Sequence, residues 1–251
     1  MAISLQSISR TTATKAPVVV TYGESGMGKT TFAAGSNKPI FVFTEDGAGS
    51  LEVDAFPRPQ SFGEVMDAIQ ALYEQDHEYQ TFVLDSLDHL EPLIWAQVCE
   101  DHNVTSIEKF PYGRGYTEAL PYWRQFLDGC RALRDDKGMA IILIAHHQIR
   151  RFESPEHDAV DRFSIKLHAK ASALVEESAD IVGFAKLKVH VRTEDLGFGN
   201  TRARAITTGE RVLMVSGTPA AVAKNRFNLP PEIPLSWSAL CDAIAAGKAA
   251  A

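Results

Sequence analysis

The chain has 251 residues, 45% of them hydrophobic, and a formal net charge of -7. That size and apolar content suit one large α/β domain, and the acidic balance excludes a protein that is basic overall, so any nucleic-acid site has to be a local basic patch. Cys99, Cys130 and Cys241 stand far apart, with neither metal spacing nor an even disulfide framework, and no stretch approaches the roughly 18 apolar residues of a membrane span; a soluble protein of a reducing cytoplasm is expected.

Residues 1–16 read as an N-terminal arm with Ile3, Leu5 and Ile8 as anchors, 17–235 as the core, and 236–251 as a closing helix and tail. Pro17 to Tyr22 is a short apolar run that predicts a buried strand. It leads into Gly23-Glu24-Ser25-Gly26-Met27-Gly28-Lys29-Thr30, followed by Thr31. A glycine, four residues, then Gly-Lys-Thr is the Walker A phosphate-binding loop. Its glycines let successive backbone N–H groups turn inward on phosphates, Lys29 adds a mobile positive charge, and Thr30 offers a hydroxyl to Mg²⁺. A helix beginning near Gly28 would direct its positive end at the same phosphates. The expected ligands are therefore ATP and Mg²⁺.

Ile40 to Phe43 predicts a second buried strand, ending in Thr44-Glu45-Asp46-Gly47. Ser61, with Glu64 three residues on, predicts a capped helix to about Tyr73. Thr81 to Asp85 is a third strand that ends in an acid. Asp85 is the candidate to hold Mg²⁺ with Thr30, and Ser86 is placed around the metal shell. Glu45 is the candidate general base, with Asp46 its rival, because ATP hydrolysis needs a group that orients or deprotonates water. Residues 88–102 predict a helix, 105–116 a loop rich in Gly, aromatic and basic residues, and 118–136 a long helix stopped by Gly138.

Met139 to Ala145 is apolar throughout and predicts a strand buried on both faces. His146 follows it directly, placed to touch the γ-phosphate, with His147 and Gln148 as competitors. Neighbours on a strand point to opposite faces, so the His146-His147 pair is not read as a metal site. Residues 146–168 read as a long polar loop, and a short helix follows over 169–178. Strands are expected over 180–191, 202–207 and 211–216, with Gly209 as a hairpin turn between the last two. Alternating strands and helices predict an α/β fold, a mostly parallel twisted sheet flanked by helices, with a late antiparallel edge hairpin.

Together, Gly23–Thr30, Phe43-Thr44-Glu45, Val83-Leu84-Asp85-Ser86, Ile144-Ala145-His146 and Ala223-Lys224-Asn225-Arg226-Phe227 resemble the RecA-type P-loop ATPase core. The chain is similar to short, core-only RecA-like ATPases of bacteriophages, sometimes labelled AAA-family, some of which are single-strand annealing proteins acting beside a single-strand-binding protein. The resemblance implies an ATPase that assembles on single-stranded DNA, in a bacterial or phage-infected cell, and promotes annealing or recombination. It implies homo-oligomers with ATP at the subunit interface, where Lys224 and Arg226 reach the neighbour's nucleotide. It also puts the His146 strand between the P-loop strand and the Asp85 strand. The loops that would face DNA are Lys109, Tyr112 and Arg114 in one, and Arg150, Arg151, Phe152, Arg162 and Lys166 in the other. Cations would track phosphates and aromatics would stack on bases. The other reading is a nucleotide-dependent assembly switch or loader that acts on protein partners.

Overall fold

The computed structural model describes residues 15–47, 49, 51–155, 157–195 and 201–249. The expected anchors Ile3, Leu5 and Ile8 lie outside the described residues. In chain order the sheet and helices are β1 (Val18–Gly23), α1 (Lys29–Ala34), β2 (Pro39–Phe43), β3 (Asp54–Ala55), α2 (Phe62–Glu74), β4 (Thr81–Asp85) and α3 (Leu87–Asp101). They continue with α4 (Gly115–Glu118), α5 (Leu120–Lys137), β5 (Ala140–Ser154), β6 (His157–Ile165) and α6 (Ala169–Ser178). The chain closes through β7 (Ile181–Asp195), β8 (Thr201–Met214), β9 (Lys224–Asn225), β10 (Glu232–Pro234) and α7 (Trp237–Ala249).

The strand order is β10-β8-β7-β1-β5-β4-β2-β3. The pairs from β7 to β3 are parallel, and β8 and β10 add an antiparallel edge. This is the α/β arrangement expected, a mostly parallel sheet flanked by helices with a late antiparallel edge. β5 lies between β1 and β4, with Gly23 opposite His146 and Asp85 opposite Ile144. The P-loop, the acid and the histidine therefore meet at one edge of the sheet.

Strand alternation explains the unbroken apolar runs. Val18, Val20, Tyr22, Ile141, Leu143 and Ala145 face a core shared with α2, α3, α5 and α6. Val19, Phe41, Phe43, Val83, Ile142 and Ile144 face the opposite core, closed by Phe32 of α1 and by Trp237, Leu240 and Ile244 of α7. Each large side chain so buried contributes about 1.5–3 kcal/mol. The local signals act as expected at two helix ends. Ser61 Oγ accepts the Glu64 N–H at 3.2 Å, while the Glu64 carboxylate closes on the N–H of Gln60, one residue earlier than a standard capping box. Gly138 ends α5 with φ 71°, in the left-handed region.

Three expectations need correction. Residues 146–165 are not a loop: β5 runs on from the parallel sheet to Ser154 and returns as β6, with Arg150 opposite Arg162 and Phe152 opposite Val160. Its polar residues obscured the strand because beyond Gln148 the hairpin runs past the core and leaves Ile149, Arg151 and Glu153 of one face exposed. Gly209 is not a hairpin turn: β8 is one strand through it, and Gly209 (φ 79°) sits in a bulge where pairing with β7 shifts between Leu187 and Val189. The basic-aromatic segment 105–116 is not an open loop either, since short 3₁₀ turns at Ile107–Lys109 and Pro111–Gly113 lead directly into α4.

Candidate functional site

β1 delivers the loop and α1 carries Lys29 and Thr30. Gly26 (φ 75°) and Gly28 (φ 95°) adopt left-handed backbone that a side chain would strain. The resulting hollow, about 420 Å³, is lined by Ser25, Gly26, Gly28, Lys29, Thr30, Thr31, Glu45, Asp46, Asp85, His146 and Arg211, among others. Lys29 is buried, and its Nζ donates to the carbonyls of Gly23 (3.1 Å) and Glu24 (2.8 Å). Burial lowers its pKa, and the carboxylates of Asp85, Asp88, Glu45 and Glu24 oppose that shift. Glu24 contributes its carbonyl and Met27 packs against the α1 side core.

Thr30 Oγ1 donates to Asp85 Oδ2 at 2.7 Å. Burial raises the Asp85 pKa, and the Thr30 hydrogen bond and Lys29 counter it. A hydroxyl beside a buried carboxylate at a helix N-terminus fits the oxygen donors that Mg²⁺ takes. The Ser86 hydroxyl is engaged by His89, lying 2.9 Å from its Nδ1, and the Ser86 N–H donates to Thr44 Oγ1.

His146 shares strand parity with Ile142 and Ile144, so it follows the α1 side of the sheet to the hollow. His147 takes the other parity and packs its ring against Phe163 (5.4 Å) and Phe184 (6.4 Å). Gln148 donates to the carbonyls of Ile165 and Leu167. Of the three competitors, only His146 lines the hollow. Its ring is held by Asp88, which accepts from Nδ1 at 2.9 Å and from the backbone N–H at 2.9 Å. That hydrogen bond raises the His146 pKa, against its burial. Burial pushes the Asp88 carboxyl up, but its bonds to His146 outweigh it and hold the group below the usual carboxylate range. Glu45 approaches the same group, with Oε2 3.4 Å from His89 Nδ1 and Oε1 4.0 Å from His146 Nδ1.

Asp88, His89 and Arg211 were missed in the sequence. Asp88 and His89 carry a weak signal, lying one helical turn beyond Asp85 on the same edge. Arg211 had none. It comes from β8 just after the Gly209 bulge, and a Cβ placed on Gly28 would lie 2.9 Å from its Nη1. The bulge re-aims β8 so that Arg211 stands over the P-loop.

Lys224 and Arg226 are elsewhere. β9 pairs with Ile181 and Val182 at the start of β7, whereas Ala185 of β7 lies opposite Gly23. Strand rise puts them roughly 10–16 Å back from their own P-loop. Lys224 Nζ donates to the carbonyls of Glu176 (2.7 Å) and Glu177 (2.8 Å), capping α6, and Arg226 pairs with Asp180 at 3.2 Å. Burial lowers the Lys224 pKa, and neighbouring Arg226 adds to that.

The expected DNA residues divide. Arg150 and Lys166 line one hollow of about 490 Å³ with Trp95, Tyr116 and His168, next to Asp88 and His89. There the Tyr116 and His168 rings stack at 4.2 Å, and Trp95 meets Tyr116 edge-on. Arg150 donates to the Leu167 carbonyl. Arg162 is engaged within the chain at the surface, over the Phe152 ring at 3.8 Å and donating to the carbonyls of Thr218 and Pro219. Arg151 is 3.6 Å from Asp161, and Arg114 pairs with Glu118. Tyr112 is fully exposed, and Lys109 ends the turn before it.

A glycine-lined phosphate loop, a buried acid on a strand one removed, and a polar residue on the strand between them define a P-loop nucleotide-binding core. The chain belongs to the AAA domain family, which it matches over residues 15–227. No curated protein matches it. Among solved structures it is similar to one described as the RadB recombinase, at 15% identity over 84% of this chain and 92% of that chain, with a TM-score of 0.42. Among the described residues, no helix is long and apolar enough to cross a membrane.

Proposed function

We propose that the protein binds and hydrolyses ATP, assembles with further copies on single-stranded DNA, and promotes annealing or recombination there. The observation that carries the ATP reading is the Thr30–Asp85 contact at 2.7 Å, inside a hollow that also holds Lys29, Glu45 and His146. Thr30 and Asp85 would hold Mg²⁺, which supplies positive charge against the β- and γ-phosphates. Gly23 to Thr31 cradle the phosphates by backbone N–H groups, and Lys29 exchanges its carbonyl partners for phosphate oxygens. Glu45, partly exposed at the same hollow, takes the proton of the attacking water, and Asp46 beside it is the rival base. His146 holds a proton on Nδ1 toward Asp88 and presents its ring to the γ-phosphate position. Arg211 is a cation supplied in cis. Lys224 and Arg226 act in trans, a role that fits their distance from their own P-loop.

The DNA reading rests on the strand that carries His146. β5 passes without a break from the sheet into the hairpin that bears Arg150, Arg151 and Phe152, and Arg150 with Lys166, Tyr116 and His168 lines the adjoining hollow. Loss of the γ-phosphate at His146 is thereby transmitted to a basic, aromatic surface suited to a single strand. A single-strand-binding protein is the proposed companion. The second reading, a switch acting on protein partners, is favoured by the engagement of Arg162 with the carbonyls of Thr218 and Pro219 and by the pairing of Arg114 and Arg151. ATP turnover titrated with single- and double-stranded DNA at several protein concentrations separates the two. Stimulation by single strands supports the first. Identical turnover with and without DNA, and no DNA shift with ATP analogues, would leave the second.

A further inference from the structure

β2, α3 and β5 bring Glu45, His89 and His146 together from three distant parts of the chain. One donor atom of each lies within 4.8 Å of the other two. Two imidazoles and a carboxylate are the donor set of many zinc centres that leave a fourth position for water. A tetrahedral ion with bonds of about 2.0–2.1 Å needs donors separated by roughly 3.3 Å. The His89 Nδ1–Glu45 Oε2 separation is 3.4 Å, and Glu45 Oε1 lies 4.0 Å from Nδ1 of the His146 ring, so rotation of the Glu45 side chain has to carry its carboxylate toward the other nitrogen of that ring, Nε2. We propose that Glu45, His89 and His146 form a binding site for a divalent transition-metal ion of the zinc class, distinct from the Thr30–Asp85 magnesium position.

The surroundings are built for such a site. Asp88, 2% exposed in its side chain, takes the Nδ1 proton of His146, which fixes the tautomer and leaves Nε2 free as a ligand. A carboxylate behind a ligating histidine is the usual supporting arrangement around zinc. The Ser86 hydroxyl, 2.9 Å from His89 Nδ1, anchors the second ring and would yield that nitrogen to an ion. Lys166 Nζ, 3.6 Å from Asp88 Oδ2, is on an exposed stem that can swing out. Imidazole donors select transition metals over Mg²⁺ and Ca²⁺, which take oxygen. An ion there would engage Glu45 and so withhold it from ATP hydrolysis. That consequence rests on the reading of Glu45 as base; the binding itself does not.

The test adds Co²⁺ alone to the full chain, free of nucleotide and Mg²⁺, and follows the visible absorption of low-coordinate Co²⁺. One ion per chain is expected, displaced by Zn²⁺ and not by Mg²⁺. His89→Ala should weaken uptake on the order of 100-fold, and His89→Gln likewise; His89 is 41% exposed in its side chain, so both variants should keep the native circular dichroism. Thr30→Ala, which strikes the magnesium position, should retain uptake. No Co²⁺ band, or a band undiminished in both His89 variants, overturns the site. Zn²⁺ should also slow ATP turnover of the wild type and not of His89→Ala. Binding without inhibition would keep the metal site and remove Glu45 from its role as base.

Discussion

Asp88 accepts two hydrogen bonds from one residue, the backbone N–H and the ring Nδ1 of His146, each at 2.9 Å. It thus fixes both the strand end and the ring that faces the nucleotide hollow, and acts as a positioning residue. Asp88→Asn removes the charge that favours imidazolium, so the His146 pKa should fall, measured by the NMR titration of its ring. ATP turnover should drop roughly 10- to 100-fold while the KM for ATP changes little. An unmoved His146 titration would refute the pairing in solution.

Lys29 now rests on two loop carbonyls and is buried. Lys29→Ala should leave the fold, since those carbonyls can turn to solvent, and should lower ATP turnover about 100-fold or more. Binding of a fluorescent ATP analogue checks the same point without turnover. Normal hydrolysis by this variant would sink the proposed function as a whole.

Two arginines are assigned opposite geometries. Arg211 stands over Gly28 of its own loop, and Arg226 lies by the start of β7, back from that loop. Arg211→Ala should reduce turnover by a factor independent of protein concentration. Arg226→Ala should reduce it only at concentrations where the protein assembles, and should cost about 1 kcal/mol of stability through its lost pair with Asp180. Equal effects of Arg226→Ala on dilute and assembled protein would remove the trans role.

Glu91 is buried in α3, and both its oxygens accept the His168 N–H, at 2.9 and 3.0 Å. Burial raises its pKa from 4.5 to about 7, against that hydrogen bond and Arg150. The folded state therefore binds the proton more tightly than the unfolded chain. Its contribution is present in full below pH 4.5 and is lost as pH rises to about 7, a difference of about 3 kcal/mol. Denaturant melts at pH 5 and pH 8 should show a smaller pH difference for Glu91→Gln than for the wild type. A parallel pair of curves would contradict the shift.

Much of the sheet was legible because its cues are local. Apolar runs named β1, β2, β4 and the first half of β5, Ser61 and Gly138 named helix ends, and the Gly-Lys-Thr spacing named the loop. The outer half of β5 was hidden because a strand outside the core has no apolar period to show. Gly209 misled because left-handed backbone serves a bulge as readily as a turn.

The sequence by itself determined the phosphate loop, the acid at the end of a buried strand and the alternation of strands and helices up to the first half of β5, since each follows from spacing within a few residues. Only the tertiary structure decided that His146 and not His147 faces the hollow, that Asp88 and His89 join it, and that Arg211 covers Gly28 while Lys224 and Arg226 do not reach it. Those outcomes depend on strand parity, on the insertion of β5 between β1 and β4, and on a bulge in β8. Such relations link residues far apart in the chain, where side-chain spacing carries no record of who meets whom.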